Sequence, residues 1–166
     1  MNIRGAPLIA MVAILGLAVE LQQQSKETIT KAAVYEKMDF LATSRPTAVN
    51  LFNALHELRT KLDGLEDDTR IVETVAEYGK WMLARDTHDC LAIGEYGAQA
   101  IVEQNANTTT QKLVIMTICN TGALACSQHG TALGVLRSLH IHNQKLERAI
   151  VLETRPYNQG SRLKSL

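Results

Sequence analysis

Cys119 is the residue best placed to do chemistry. It follows a short apolar run, Leu113-Val114-Ile115-Met116, with Thr117 and Ile118 between, and it precedes Asn120-Thr121-Gly122. The run is rich in branched residues, as a buried strand requires. Beyond the turn come helix formers, a polar patch ending at Gly130, and then Thr131-Ala132-Leu133-Gly134-Val135-Leu136. Strand, small-residue turn and helix is the order that sets functional groups at the carboxyl end of a parallel strand. Open α/β sheets bind ligands there. A thiol facing a helix N-terminus gains thiolate character, because the amides and the positive dipole end favour an anion. The competing reading is a small buried hydrophobe, the usual fate of a free cysteine. Position alone favours the second reading.

Arg45 is the second candidate. It stands in Thr43-Ser44-Arg45-Pro46, where Pro46 suits a first helical turn and Ser44 or Thr43 a cap. The dipole disfavours a cation at a helix N-terminus unless an anion meets it. The residue is therefore either a solvated arginine or an anion ligand. Other chemistry-bearing residues do not assemble in the sequence. His140 and His142 are two apart and point to different sides of a helix. His56, His88 and His129 stand alone, without ligands at metal spacing. Glu66-Asp67-Asp68 reads as a solvated acidic start to a helix rather than a metal site. The cysteines Cys90, Cys119 and Cys126 form no Cys-x-x-Cys pair, so no zinc framework is predicted. Neither a Walker phosphate loop nor a G-x-G-x-x-G fingerprint is present.

The elements that must position these residues follow from periodicity. Pro7 to Leu21 is apolar almost throughout and ends at Glu20 and three glutamines without a small-residue cleavage site. It falls short of the roughly 20 apolar residues of a membrane span, so a helix buried on most sides is expected. Thr28 to Ala42 reads as a second helix, with Ile29, Ala33, Met38 and Leu41 on its apolar face. Leu51, Leu55, Leu58 and Leu62 repeat at helical spacing before Gly64, a natural stop. Ile71, Val75, Tyr78 and Met82 start another helix, which bends or restarts near Asp86-Thr87 and continues with Gly94 and Gly97 allowing close packing. Residues 103–111 are polar and turn-prone, a linker to the α/β part. The helix after Gly130 runs to about Asn143, turning Leu133, Leu136 and Leu139 to the sheet. Ala149-Ile150-Val151-Leu152 is a second buried-type strand. Two strands and a crossover helix make one right-handed βαβ unit, with Cys119 and the 153–160 loop on the same rim. The fold class is thus helix-rich α/β: a helical subdomain over residues 1–105 and a partial Rossmann-like domain over 111–166. Two parallel strands with one helix cannot cover both sheet faces, so exposed apolar surface is expected around Val114 and Ile150.

Composition narrows the function classes. A hydrophobic fraction of 46% over 166 residues suffices for a core. Lys+Arg and Asp+Glu are both 17, so bulk electrostatics does not argue for nucleic acid. Aromatics at 4% are too few for base-stacking platforms. An odd number of cysteines favours a reducing compartment over a disulfide scaffold.

Several longer blocks carry a resemblance. They are Cys119-Asn120-Thr121-Gly122-Ala123-Leu124-Ala125 with Gly130-Thr131-Ala132-Leu133-Gly134-Val135; Arg4-Gly5-Ala6-Pro7; Ser44-Arg45-Pro46-Thr47-Ala48-Val49-Asn50-Leu51; Asp89 to Ala98; and Glu153-Thr154-Arg155-Pro156-Tyr157-Asn158-Gln159-Gly160. Together they resemble methylthioribose-1-phosphate isomerase, a family whose fold is shared with regulatory subunits of the initiation-factor exchanger. The resemblance runs from Arg4 to Arg162. It implies conversion of S-methyl-5-thioribose 1-phosphate to the ribulose 1-phosphate ketose in methionine salvage. It makes Cys119 the catalytic cysteine and Arg4, Gly5, Ala6, Arg45 and Gln159 substrate-binding residues. It implies no metal and no nucleotide cofactor, a homodimer, and a cytoplasmic setting with the nucleus as a second site; neither nucleic acid nor membrane is an expected partner. Two local departures stand out. Ile118 occupies the place of a histidine, and Cys126-Ser127-Gln128-His129 that of a Thr-Ala-Gly-Tyr-like stretch. The family's catalytic aspartate falls beyond Leu166, so the expectation is an isomerase impaired in this chain. The alternative is a non-catalytic regulatory or binding module that dimerises with a relative.

Overall fold

A computed structural model of the chain describes residues 3–47, 49–106, 112–142, 145–158 and 160. The order of elements is α1 (Ala6–Gln22), α2 (Lys31–Thr43), α3 (Val49–Asp63), α4 (Ile71–Gln104), β1 (Leu113–Thr117), α5 (Ala132–Ile141) and β2 (Leu146–Val151). Short 3-10 turns fill Lys26–Thr28, Asp68–Arg70 and Ala123–Ala125. The fold is helix-rich α/β, with a two-stranded parallel sheet. The chain divides into two compact units, Met1–Ala84 and Arg85–Leu166.

The first unit is helical. Gly5 precedes α1 at φ 100°, a left-handed conformation that glycine adopts without strain, and a proline follows in the first turn. Ala10, Met11, Ile14, Leu17, Ala18 and Leu21 turn one side of α1 inward. The helix is apolar all round yet only partly covered, since Val19 remains 55% exposed. Thr30 caps α2 by accepting from the Ala33 amide at 3.3 Å. Thr43 and Ser44 close α2 rather than open α3. Their hydroxyls donate to the carbonyls of Phe40 and Leu41, both at 2.7 Å, satisfying groups that a helix end leaves bare. The leucines at 51, 55, 58 and 62 form the buried face of α3, as their spacing predicts. They join Ile14, Val34, Ile71 and Val75 in one core cluster. Each fully buried leucine contributes about 1.5–3 kcal/mol, which is why the stripe rather than local propensity holds α3 in place. Tyr78 adds a hydrogen bond to Glu57 at 2.9 Å from the same core.

α4 runs unbroken through Asp86-Thr87, where the sequence suggested a bend. Its 34 residues extend over about 51 Å at 1.5 Å per residue. No helix among the described residues is long and apolar enough to cross a membrane.

In the second unit, β1 and β2 pair in parallel from Leu113↔Leu146 to Thr117↔Val151. Leu133, Leu136 and Leu139 of α5 are buried, as expected of a helix covering one sheet face. The other face is open: Val114 is 51% exposed and Met116 62%. Gly94 and Gly97 let α4 approach α5 closely. A Cβ on Gly97 would stand 2.7 Å from Val135 Cγ2, and one on Gly94 3.1 Å from the Gly134 backbone.

Candidate active-site rim

Both strands end at the same edge of the sheet. Because Thr117 pairs with Val151, the segments that leave them, Ile118-Cys119 and Leu152-Glu153, emerge side by side. The Leu152 amide donates to the Thr117 carbonyl at 3.1 Å and extends this pairing beyond β2.

Cys119 is exposed and holds φ 78°. A non-glycine residue in the left-handed region costs of order 1–3 kcal/mol, and such residues concentrate where geometry serves function. Thr154 (φ 62°) and Asn158 (φ 51°) do the same, and Thr154 is β-branched. All three non-glycine residues of this kind among those described lie on the loops leaving β1 and β2. The bond between Arg155 and Pro156 is cis. Gly160 donates its amide to the Glu153 carbonyl at 2.9 Å and closes the loop back on the strand end.

The route from Cys119 to α5 differs from a simple strand–turn–helix. A 3-10 turn, Ala123–Ala125, intervenes, and α5 begins only at Ala132. The Thr121 carbonyl accepts from the Thr131 amide at 3.0 Å and the Leu133 amide at 3.4 Å. Two amides near the start of α5 are therefore taken by the loop itself. Gly130 makes this closure possible. It sits at φ 75°, and a Cβ there would stand 2.6 Å from the same carbonyl oxygen. Beside Cys119, both polar atoms of the Asn120 amide are buried and unpartnered among the described residues. Leaving such groups unpaired costs about 1–3 kcal/mol. The sequence marked Asn120 only as a turn residue, and nothing in it signalled the strain at Thr154.

The remaining expected residues belong to the first unit. Arg4, Gly5 and Ala6 form the entry to α1, with Arg4 half-buried and Ala6 opening the helix. Arg45 is exposed in the turn between α2 and α3, ahead of the helix start at Val49. A cleft of about 660 Å³ between α1 and α2 is lined by Ile3 and Ser44, the sequence neighbours of Arg4 and Arg45. Its other walls include Val12, Leu17 and Phe40. Gln159 lies outside the described residues.

A third grouping was invisible in the sequence. Asp86, Cys90 and Cys126 converge, with one ligand-type atom from each within 4.8 Å of the others. Burial, and after it the Asp86 carboxylate, pushes the Cys90 thiol up from its ordinary value. Burial and the neighbouring Cys90 push Cys126 up to about 12.

The sequence pattern of the Initiation factor 2 subunit family matches residues 2–166. The chain belongs to this family. It is 45% identical, over 98% of its length, to a methylthioribose-1-phosphate isomerase of Talaromyces stipitatus, of which it spans 45%. Among solved structures, it is similar to 5-methylthioribose 1-phosphate isomerase from Pyrococcus horikoshii. The TM-score is 0.80 and the identity 32%, covering 98% of this chain and 44% of that one. It also resembles translation initiation factor eIF-2B, subunit delta, from A. fulgidus, with a TM-score of 0.70 and 32% identity over 98% of this chain and 46% of the other. The chain therefore spans about half the length of the relatives it matches.

Proposed function

We propose that this family member is part of an aldose–ketose isomerase that converts S-methyl-5-thioribose 1-phosphate to S-methyl-5-thioribulose 1-phosphate, a step of methionine salvage. The observation that carries the reading is Cys119: exposed, left-handed, and at the carboxyl end of β1, in a chain 45% identical to a relative with that name. An aldose–ketose shift needs an acid–base pair to open the ring and move hydrogen between adjacent carbons, and cations or amides to hold the phosphate. Cys119 takes the catalytic role. Arg4, Gly5, Ala6, Arg45 and Gln159 bind substrate, the arginines through charge-assisted hydrogen bonds to phosphate. The backbone amides where α1 begins suit the same anion. The reaction itself requires no metal and no nucleotide. The wider architecture in this reading is a helical subdomain over residues 1–105 followed by a partial Rossmann-like domain over 111–166, in a homodimer of the cytoplasm and nucleus.

A second reading rests on the likeness to the delta subunit of eIF-2B and on Ile118, which supplies no proton-transfer group beside Cys119. In it the chain is a non-catalytic regulatory or binding module that dimerises with a relative.

Assay of the purified chain with the sugar phosphate separates the two. Turnover that falls about 10²–10⁴-fold in Cys119→Ala supports the isomerase. Thermal stabilisation by the sugar phosphate without turnover supports the module. Absence of both turnover and stabilisation would remove the sugar-phosphate site that the two readings share.

A further inference from the structure

We infer that Asp86, Cys90 and Cys126 form a site for a soft divalent cation, with zinc the best match, separate from the Cys119 chemistry. Asp86 and Cys90 are four apart on α4, so one helical turn stacks carboxylate and thiol on the same face. Cys126 ends the 3-10 turn that follows Cys119 and comes to them from a different element. The three ligand atoms already lie within 4.8 Å of one another, and Cys90 Sγ is 3.9 Å from Asp86 Oδ2. Around a tetrahedral zinc, sulfur–sulfur and sulfur–oxygen separations are about 3.8 and 3.6 Å. Closing the cluster onto an ion therefore asks for shifts of about 1 Å or less, which rotation of the thiols supplies.

The surroundings suit a metal. Both cysteines are 3% exposed, and with Ala125 they make a small buried cluster. Asp86 is only partly buried, which leaves a path for the ion. Its Oδ2 accepts from the Ser127 amide at 2.7 Å, an outer contact that fixes the carboxylate before any ion arrives. The Thr87 and Ser127 hydroxyls, 2.9 Å apart, connect the same two segments. Two thiols and a carboxylate select zinc over magnesium or calcium, which take oxygen donors. Three protein ligands leave the fourth position to water. Both thiols are protonated without metal, so each ion bound releases two protons, one from Cys90 and one from Cys126. The site ties α4 to the loop carrying Cys119, and its role is to hold that loop.

The test uses the reduced, chelator-treated chain titrated with Co²⁺. We expect one equivalent to give a thiolate-to-cobalt charge-transfer band with the visible absorption of tetrahedral cobalt, and Zn²⁺ to displace it. Zn²⁺ alone should raise Tm progressively with concentration. Cys90→Ser and Cys126→Ser should each abolish tight binding, and Asp86→Asn should weaken it by about 10-fold or more. Cys119→Ser should leave it intact. Absence of the charge-transfer band in the unaltered chain overturns the site, with no variant needed. A band that survives Cys126→Ser, or one lost in Cys119→Ser, also overturns it. So does a Cys90–Cys126 disulfide in the air-purified chain that, once reduced, binds no metal.

Discussion

The two compact units solve different problems. In the first, Ile14, Val34, Leu51, Leu58, Leu62, Ile71 and Val75 are wholly buried and contributed by four helices. No non-glycine residue described there takes a left-handed conformation. In the second, a two-stranded sheet leaves one face open, and every strained non-glycine residue described lies on the loops beyond the strands. The cysteines are there too. Helical packing supplies stability cheaply because each apolar stripe finds a partner. The sheet edge instead concentrates strain, an amide unpartnered among the described residues and the exposed Cys119 thiol, the features that chemistry uses and stability alone would remove.

Substitutions can break this contrast. Leu58→Ala should have the largest effect, a loss of about 2–5 kcal/mol in chemical denaturation, because the leucine is wholly buried in the first unit. Equal tolerance of Leu58→Ala and of exposed Met116→Ala would erase the distinction. Gly97→Ala tests the tight seam of the second unit. Its Cβ would press on Val135, and a loss of about 1–3 kcal/mol is expected; no loss would show that the side chain gives way freely. Thr154→Gly should act in the opposite direction. Releasing a β-branched residue from φ 62° should outweigh the lost hydroxyl bond to the Leu152 carbonyl and the greater unfolded-state freedom of glycine, read as a slightly raised Tm; a drop would mean the strain is smaller than those two losses. A pH series on the metal-free chain probes Cys126. Its folded thiol titrates at about 12 and its unfolded thiol at 9.0, so the unfolded state ionises first. Stability should be unaffected below pH 9 and decline above it, by about 1 kcal/mol at pH 10. Cys126→Ser should flatten that decline, and an unchanged slope would assign it to other groups.

Much of the first unit was legible because its signals are local. Leu51, Leu55, Leu58 and Leu62 announce α3 through spacing alone; in the second unit only Gly94 and Gly97 are as plain, announcing a close helix contact. The sequence alone does not assign the hydroxyls of Thr43 and Ser44, because a hydroxyl can cap the helix on either side. Only the carbonyls actually bare at the end of α2 decided which. Through Asp86-Thr87, too, local composition is ambiguous, and α4 runs on without a break.

The sequence by itself determined the helix-rich α/β class, the strand before Cys119, and the blocks that carry the family resemblance. Each is written in neighbouring residues, where the 3.6- and 2-residue periods operate. Tertiary structure alone decided that two amides at the start of α5 bind Thr121, that strain gathers at Cys119, Thr154 and Asn158, and that Cys90 meets Cys126. Cys90 and Cys126 belong to different elements, and no periodicity couples residues so far apart. Their meeting follows from the close approach of α4 to the loop and helix that come after β1, a contact that exists only once the chain has folded.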